Sequence, residues 1–353
     1  LPSKEKSEYI IGFQGFNQTN TNLNDRETKL LPDATTNNYS AFGLVQYTFF
    51  KKLKVQTGVR YDNKSILTQA VGFPTDTMTY RAPFDKSFGS FSGSLGATYN
   101  LTEKLLFRAN IAAAYRTPNL AELTSNGQHE LRYEIGDHKL VPENSYEADL
   151  SLHYHKDNFT FDMAGFYNII NNYIFISPTG DTTITGIEVF KYKQVNSVLF
   201  GGEAGIHIHP RSIKWIHFAT TFSSVIGKQE NGDYLPFVPA HKLRFELRAE
   251  KEDFLFLQKA FASVNTNIAF NQNNAAPDET TTSGYTLVDL SMGGTIKLKS
   301  QIVSLSISVN NIFDTKYIDH LSTLKEVNLY NPGRNVSISL KIPFGLTKND
   351  KIN

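Results

Sequence analysis

The sequence predicts an all-β protein, a transmembrane antiparallel β-barrel of about fourteen strands over residues 1–344, with a polar tail at 345–353. Three observations predict it. Apolar and polar residues alternate with period two along most of the chain. Many alternating segments run ten residues or longer. Short turns and long polar loops take turns between them.

The alternation is explicit in each element. In "LKVQTGVRY" (53–61), Leu53, Val55, Thr57, Val59 and Tyr61 share one face, and Lys54, Gln56, Gly58 and Arg60 share the other. "LLFRANIAAAY" (105–115) keeps Leu105, Phe107, Ala109, Ile111, Ala113 and Tyr115 in phase. "YEADLSLHY" (146–154) sets Tyr146, Ala148, Leu150, Leu152 and Tyr154 against Glu147, Asp149, Ser151 and His153. "HKLRFELRAE" (241–250) and "IVSLSISVN" (302–310) repeat the pattern. Strands are expected near 9–18, 39–50, 53–64, 87–101, 104–115, 145–155, 159–170, 186–195, 197–209, 213–226, 241–250, 260–270, 285–297 and 301–310. "VSISLKIPF" (336–344) is a further candidate, and no segment longer than a few residues reads as helix.

Length and the polar face set the environment. Strands of soluble domains usually run about five or six residues, whereas a tilted strand crossing a bilayer needs about nine to eleven. The polar face carries full charges in mid-strand, among them Arg60, Arg108, Glu203, Arg244, Glu246 and Arg248. Glycine recurs at Gly89, Gly93, Gly96, Gly201, Gly202 and Gly205. In a soluble interior those glycines would leave holes, whereas lipid fills such gaps. The expectation is apolar-out and polar-in, with Tyr9, Phe49, Phe50, Tyr99, Tyr115, Tyr154 and Phe344 placed as interfacial aromatics. The connections agree. "KK" (51–52), "TE" (102–103) and "KDN" (156–158) are tight turns, and 19–38, 65–86, 116–144, 227–240, 271–284 and 311–335 are long polar loops.

Composition narrows the function. Among 353 residues, 35 bases balance 34 acids, so no net field draws nucleic acid. The absence of cysteine excludes disulfides and thiolate metal sites. There are 26 Phe and 17 Tyr beside one Trp, a load that suits strands. No apolar run is long enough for a transmembrane helix. "LPSKEKSEYI" lacks an apolar signal core, which is expected if a signal was removed or if the chain begins partway through a longer protein.

Four stretches of sequence then carry a resemblance. "AAAYRTPNLAELTSNGQHELRYEIGDHKLVPENSYEADLSLHY" (112–154) resembles a segment of TonB-dependent outer-membrane receptors, where an aromatic-Arg-Ala-Pro box, here with the small departure Tyr115-Arg116-Thr117-Pro118, ends one strand and an Asn-Pro-x-Leu leucine box followed by Pro-Glu precedes the next. "SVNNIFDTKYIDH" (308–320) and "YNPGRNVSISLKIPF" (330–344) resemble that family's closing strands, and "VLFGGEAGIHIHP" (198–210) a middle one. The resemblance covers essentially the whole chain. It implies a Gram-negative outer-membrane location, a 22-stranded barrel and a plug in its lumen. At about 25 residues per strand and loop, 22 strands need roughly 550 residues. This chain is therefore expected to be a C-terminal portion lacking the plug and about eight strands. Two departures stand out. The leucine box reads Asp137-His138-Lys139-Leu140 without its proline, and Phe344 is followed by "GLTKNDKIN" instead of ending the chain.

The resemblance also places candidate ligands. His129 lies between the two boxes, where haem receptors of the family carry an axial ligand and some zinc-type receptors a histidine. Neutral imidazole suits both haem iron and zinc. Tyr133 and His138 share that loop, and Arg116 stands ready for an anionic ligand. A second, weaker metal candidate is His207 and His209, which share a strand face with Glu203. His153 and His155 lie beside the turn at 156–158, on the side away from a ligand. No intrinsic cofactor is expected. Transported haem, zinc or an iron chelate is, together with a TonB-type energy-transducing partner and outer-membrane lipid.

No Gly-x-Ser-x-Gly, phosphate loop or HExxH is present, so an enzyme is not expected. The function expected is uptake of a scarce metal or metal chelate. A passive porin-like channel of about fourteen strands is the alternative, because lumen charges serve it equally. A soluble adhesin-like β domain is the third reading.

Overall fold

A computed structural model describes residues 6–23, 29–72, 74–75, 80–298 and 301–343, nearly all of them in one sheet. The strands are β1 (Ser7–Asn20), β2 (Ala34–Phe49), β3 (Leu53–Thr68), β4 (Asp85–Asn100) and β5 (Leu105–Arg116). The following loop holds helix α1 (Leu120–Thr124) and the small strands β6 (Asn126–His129) and β7 (Arg132–Ile135). The sheet resumes with β8 (Glu143–Lys156), β9 (Phe159–Thr182), β10 (Glu188–Ile208), β11 (Ile216–Gln229) and β12 (Lys242–Phe254). It finishes with β13 (Leu257–Ala269), β14 (Tyr285–Leu298), β15 (Gln301–Asn310) and β16 (Asn335–Lys341). Each main strand pairs antiparallel with its neighbour in sequence, β5 passing directly to β8. Among the described residues β1 pairs only with β2 and β16 only with β15, so the sheet has two open edges.

The fourteen-strand path has the expected count, with one merger. Segments 186–195 and 197–209 are a single strand, β10, and the segment 336–344 supplies β16. The apparent break in β10 is a bulge. Ser197 lies opposite Ile170 but Val195 lies opposite Tyr173, so β9 carries one extra residue there. Asn172 takes that residue up with φ +59°, a conformation asparagine tolerates. At 24 and 21 residues, β9 and β10 are about twice as long as a bilayer crossing needs. Their excess projects on the side of the long loops. At the opposite end the turns are tight. Phe50 and Lys51 both have positive φ, the left-handed geometry that matches the twist of a hairpin.

Curvature decides which face is inside. A cavity of about 890 Å³ is lined by Lys54, Arg108, Asp149, Glu203 and Lys242, contributed by β3, β5, β8, β10 and β12. The sheet therefore curls around its charged face. The apolar face points out: Val336 is 62 %, Leu340 59 % and Leu247 50 % exposed, and Leu243 is half-buried. Tyr9, Phe49, Phe50 and Tyr99 are exposed near strand ends as expected, Tyr115 and Tyr154 are half-buried, and Phe344 lies outside the described residues together with the tail 345–353. The glycines divide between faces rather than sitting only against lipid. Gly89 faces outward, where a Cβ would meet the Tyr61 hydroxyl, and Gly12 lies beneath the Phe42 ring.

Burial is concentrated at the long-loop end. Ile66 and Phe88, on the inward faces of β3 and β4, pack with Leu123, Leu140 and Ile174 into a small apolar core. Polar-in alternation stops there because a loop, not water, fills the mouth.

Candidate functional site

The loop between β5 and β8 folds into the mouth of the sheet, and its sequence explains how. Asn119 caps α1: its Oδ1 accepts from the Glu122 amide at 2.9 Å, and Glu122 Oε2 accepts from the Asn119 amide at 2.8 Å. Pro118 and Leu123 are fully buried behind that turn. Gly136 then crosses α1 so closely that a Cβ would lie 2.6 Å from the Thr124 amide nitrogen, so only glycine fits. Beyond it β7 runs parallel beside β10, pairing Tyr133 with Val189 and Ile135 with Lys191. Lys86 Nζ donates to the carbonyls of His138 and Leu140 at 2.8 and 2.7 Å. Burial lowers the Arg81 guanidinium from its ordinary value, and Arg81 still donates to the Leu30 and Thr124 carbonyls at 2.9 and 3.0 Å.

Arg116 is the clasp of this loop. It forms a fork on Glu143 through Nε and Nη2, both at 2.7 Å, and Nη1 donates to Glu122 at 2.8 Å. Glu143 also accepts from the Ile174 amide at 2.6 Å. Among the described residues, all the guanidinium's hydrogen bonds therefore go to two nearly buried carboxylates.

His129 and Tyr133 fall on opposite faces of the β6–β7 hairpin. His129 is paired with Arg132, and on their face Glu134 accepts from His129 Nδ1 at 3.0 Å and from Arg132 Nε at 2.7 Å. Burial pushes the Glu134 carboxyl up, but hydrogen bonds from His129 and Arg132 and the Arg132 charge outweigh it and hold it below the usual range. An ionised carboxylate only accepts, so Nδ1 carries the proton, and Nε2 has no hydrogen-bond partner among the described residues on a ring that is 52 % exposed. Tyr133 instead donates to Asn126 Oδ1 at 2.8 Å. His138 is exposed, its ring 4.7 Å from Phe84. The fold thus does not gather His129, Tyr133 and His138 into one cluster.

At the turn end, His207 and His209 are brought together and Glu203 is not. Glu203 lines the large cavity, while the third neighbour of the histidine pair is His217 of β11. The β10–β11 register sets Ile208 opposite Phe218, so the next pair outward is His209 and His217. Reading the sequence strand by strand misses His217. Folding "IHIHP" (206–210) back on "WIHFA" (215–219) across the turn would have found it. Burial, reinforced by the neighbouring His207, His217 and His155, lowers the His209 imidazole, which lies just beyond β10.

The profile of the family described as "TonB dependent receptor-like, beta-barrel" matches residues 6–312. The chain belongs to this TonB-dependent receptor family. It is an outer-membrane barrel of the Gram-negative type, in a family of receptors rather than enzymes. The "Ferric enterobactin receptor" of Pseudomonas aeruginosa is 26 % identical over 258 residues, 64 % of this chain and 33 % of that protein. Among solved structures the "Copper transporter OprC" superimposes with a TM-score of 0.80 at 18 % identity, covering 95 % of this chain and 54 % of that one. The ferric yersiniabactin uptake receptor FyuA of Yersinia pestis gives 0.70 at 15 % identity, covering 98 % and 52 %. The hemophore receptor HasR of Serratia marcescens, solved with HasA and heme, gives 0.71 at 16 % identity, covering 95 % and 56 %. The chain spans about a third of that curated relative and about half of each solved neighbour.

Proposed function

We propose that this chain is the C-terminal barrel portion of an active-transport receptor that takes up a scarce metal or metal chelate. The cargo is haem, zinc or an iron-siderophore. Energy comes from a TonB-type inner-membrane partner acting through a plug that lies outside this chain. Further strands pair with β1 and β16 to close a barrel of about 22, because hydrocarbon satisfies no open backbone edge. The family match over residues 6–312 carries the reading. Support for the cargo comes from the relatives, whose names specify ferric enterobactin, copper, ferric yersiniabactin and heme, each containing a metal.

His129 is the proposed outer ligand. Its Nδ1 is held by Glu134 and its Nε2 has no partner among the described residues, the arrangement by which a carboxylate orients a metal-binding imidazole. Tyr133, His138 and Arg116 act behind it by shaping the loop. Binding of haem and Zn²⁺ to the full-length receptor, measured beside His129→Ala, tests this. The expected result is at least about a tenfold loss of affinity for the cargo in the variant. Equal affinity in both proteins removes His129 from the site.

The cavity of about 890 Å³ inside the sheet favours a second reading, a passive channel. Uptake that persists when the inner-membrane energy source is collapsed would establish the channel. Uptake that stops would establish the receptor.

A further inference from the structure

The inward face of the barrel carries a second group of histidines at the turn end, opposite the loop mouth. His207 and His209 come from the end of β10 and His217 from the start of β11. Their ring centroids are 4.4, 5.0 and 5.9 Å apart, and one nitrogen from each ring lies within 4.8 Å of the other two. All three are half-buried.

The hydrogen bonding is what separates this trio from ordinary lumen polarity. His153 is held by Asp162 at 2.5 Å, His155 by Thr160 at 2.9 Å, and His129 by Glu134 at 3.0 Å. Among the described residues none of His207, His209 and His217 has a side-chain hydrogen bond. The nearest acid, Glu250, stands 3.9 Å from His217 Nε2 and is itself bound by Arg248 at 2.5 Å. Three imidazoles that face one another without acceptors repel if protonated. As neutral rings they offer three lone pairs to one point.

We propose that His207, His209 and His217 form a binding site for one first-row divalent cation of the Zn²⁺ or Cu²⁺ class. Three neutral nitrogens with no carboxylate or thiolate select such a cation over Mg²⁺ or Ca²⁺. Nitrogens about 2.0–2.1 Å from zinc lie about 3.3 Å apart, so closing the trio takes side-chain rotations that move each nitrogen by about an ångström. The fourth position opens onto a cavity of about 430 Å³ lined by His207, His217, Asp162, Glu246 and Arg248, which admits water or an incoming ligand. The site is built by the barrel wall alone. It therefore stands whether or not the outer-loop reading of His129 holds.

Titration calorimetry with Zn²⁺, and separately with Cu²⁺, on the untagged full-length receptor in detergent tests it. One equivalent of at least one of the two ions is expected to bind at the trio, counted separately from any ion that His129 holds. His209→Ala and His207→Asn/His217→Asn should each weaken binding at least about tenfold, and His129→Ala should leave this equivalent in place. Heat-dependent mobility in detergent gels verifies that each variant is a folded barrel, and the double variant serves if His209→Ala does not fold. Failure of the wild type to bind either ion overturns the site. Unchanged binding by a folded variant of the trio, or loss of the equivalent in His129→Ala, overturns it too.

Discussion

Arg116 was legible in the sequence as part of a box, but not in its role. An arginine before a long loop reads equally well as a ligand contact or as a clasp. The fold sets Glu143 across the strand pair and Glu122 on the first turn of α1, and both grip the guanidinium. The side chains of Glu122 and Glu143 are only 9 and 10 % exposed, so removing the cation strands two buried carboxylates. Arg116→Met is therefore expected to destabilise the loop by about 2–4 kcal/mol, at or below the usual cost for breaking a buried pair because the arginine is itself partly exposed. Protease cleavage within 117–142, with the barrel intact, measures it. Resistance equal to wild type would return Arg116 to the ligand candidates.

Between elements, the outer loops lock together through acids that alternation does not reveal. Glu279 accepts from the Phe237 amide at 3.0 Å and the Ala276 amide at 3.3 Å, with His320 Nε2 at 3.7 Å. Asp319 accepts from the Tyr285 hydroxyl at 2.7 Å and faces Lys242 at 3.6 Å. Burial raises both carboxyls, yet these partners outweigh it and both end below their ordinary values of 4.5 and 3.8. A carboxyl lowered on folding stabilises the folded state above its unfolded pKa and loses that contribution as pH falls through the folded one. The loops 230–241, 270–284 and 311–334 should thus stay tied above about pH 4.5 and loosen progressively below it. Hydrogen exchange in these loops, followed from pH 7 to about pH 3, checks the window. Loosening between pH 7 and 5 would mean the carboxylates are not the ties.

For the molecule as a whole, the direction of the two faces is the physical claim that matters. Leu247 sits in mid-strand between Phe218 and Val264 on the outward face, and Arg244 lies on the inward face of the same strand. In a bilayer Leu247→Arg should cost about 2–4 kcal/mol, whereas Arg244→Gln should cost under about 1 kcal/mol. Denaturant unfolding of the full-length receptor in lipid vesicles gives both values. A harmless Leu247→Arg would favour a water-facing β domain.

Local patterning was enough to place nearly all the strands, their tight turns and the split of each into an apolar and a polar face, and to point to the family; the curvature of the sheet then settled which face is inside. Period-two alternation, strand length and turn residues are local properties, and antiparallel neighbours need no distant information to pair. The same patterning even supplied His207 and His209, which lie two apart on one strand. The remaining features depend on residues far apart in the chain, brought together by the fold. It turned β9 and β10 into long projecting strands around a bulge, folded the loop 117–142 into the mouth over Ile66 and Phe88, and set His217 beside His209. These outcomes follow from register across turns and from a loop choosing apolar contact over water, and neither choice is written in any single stretch of residues.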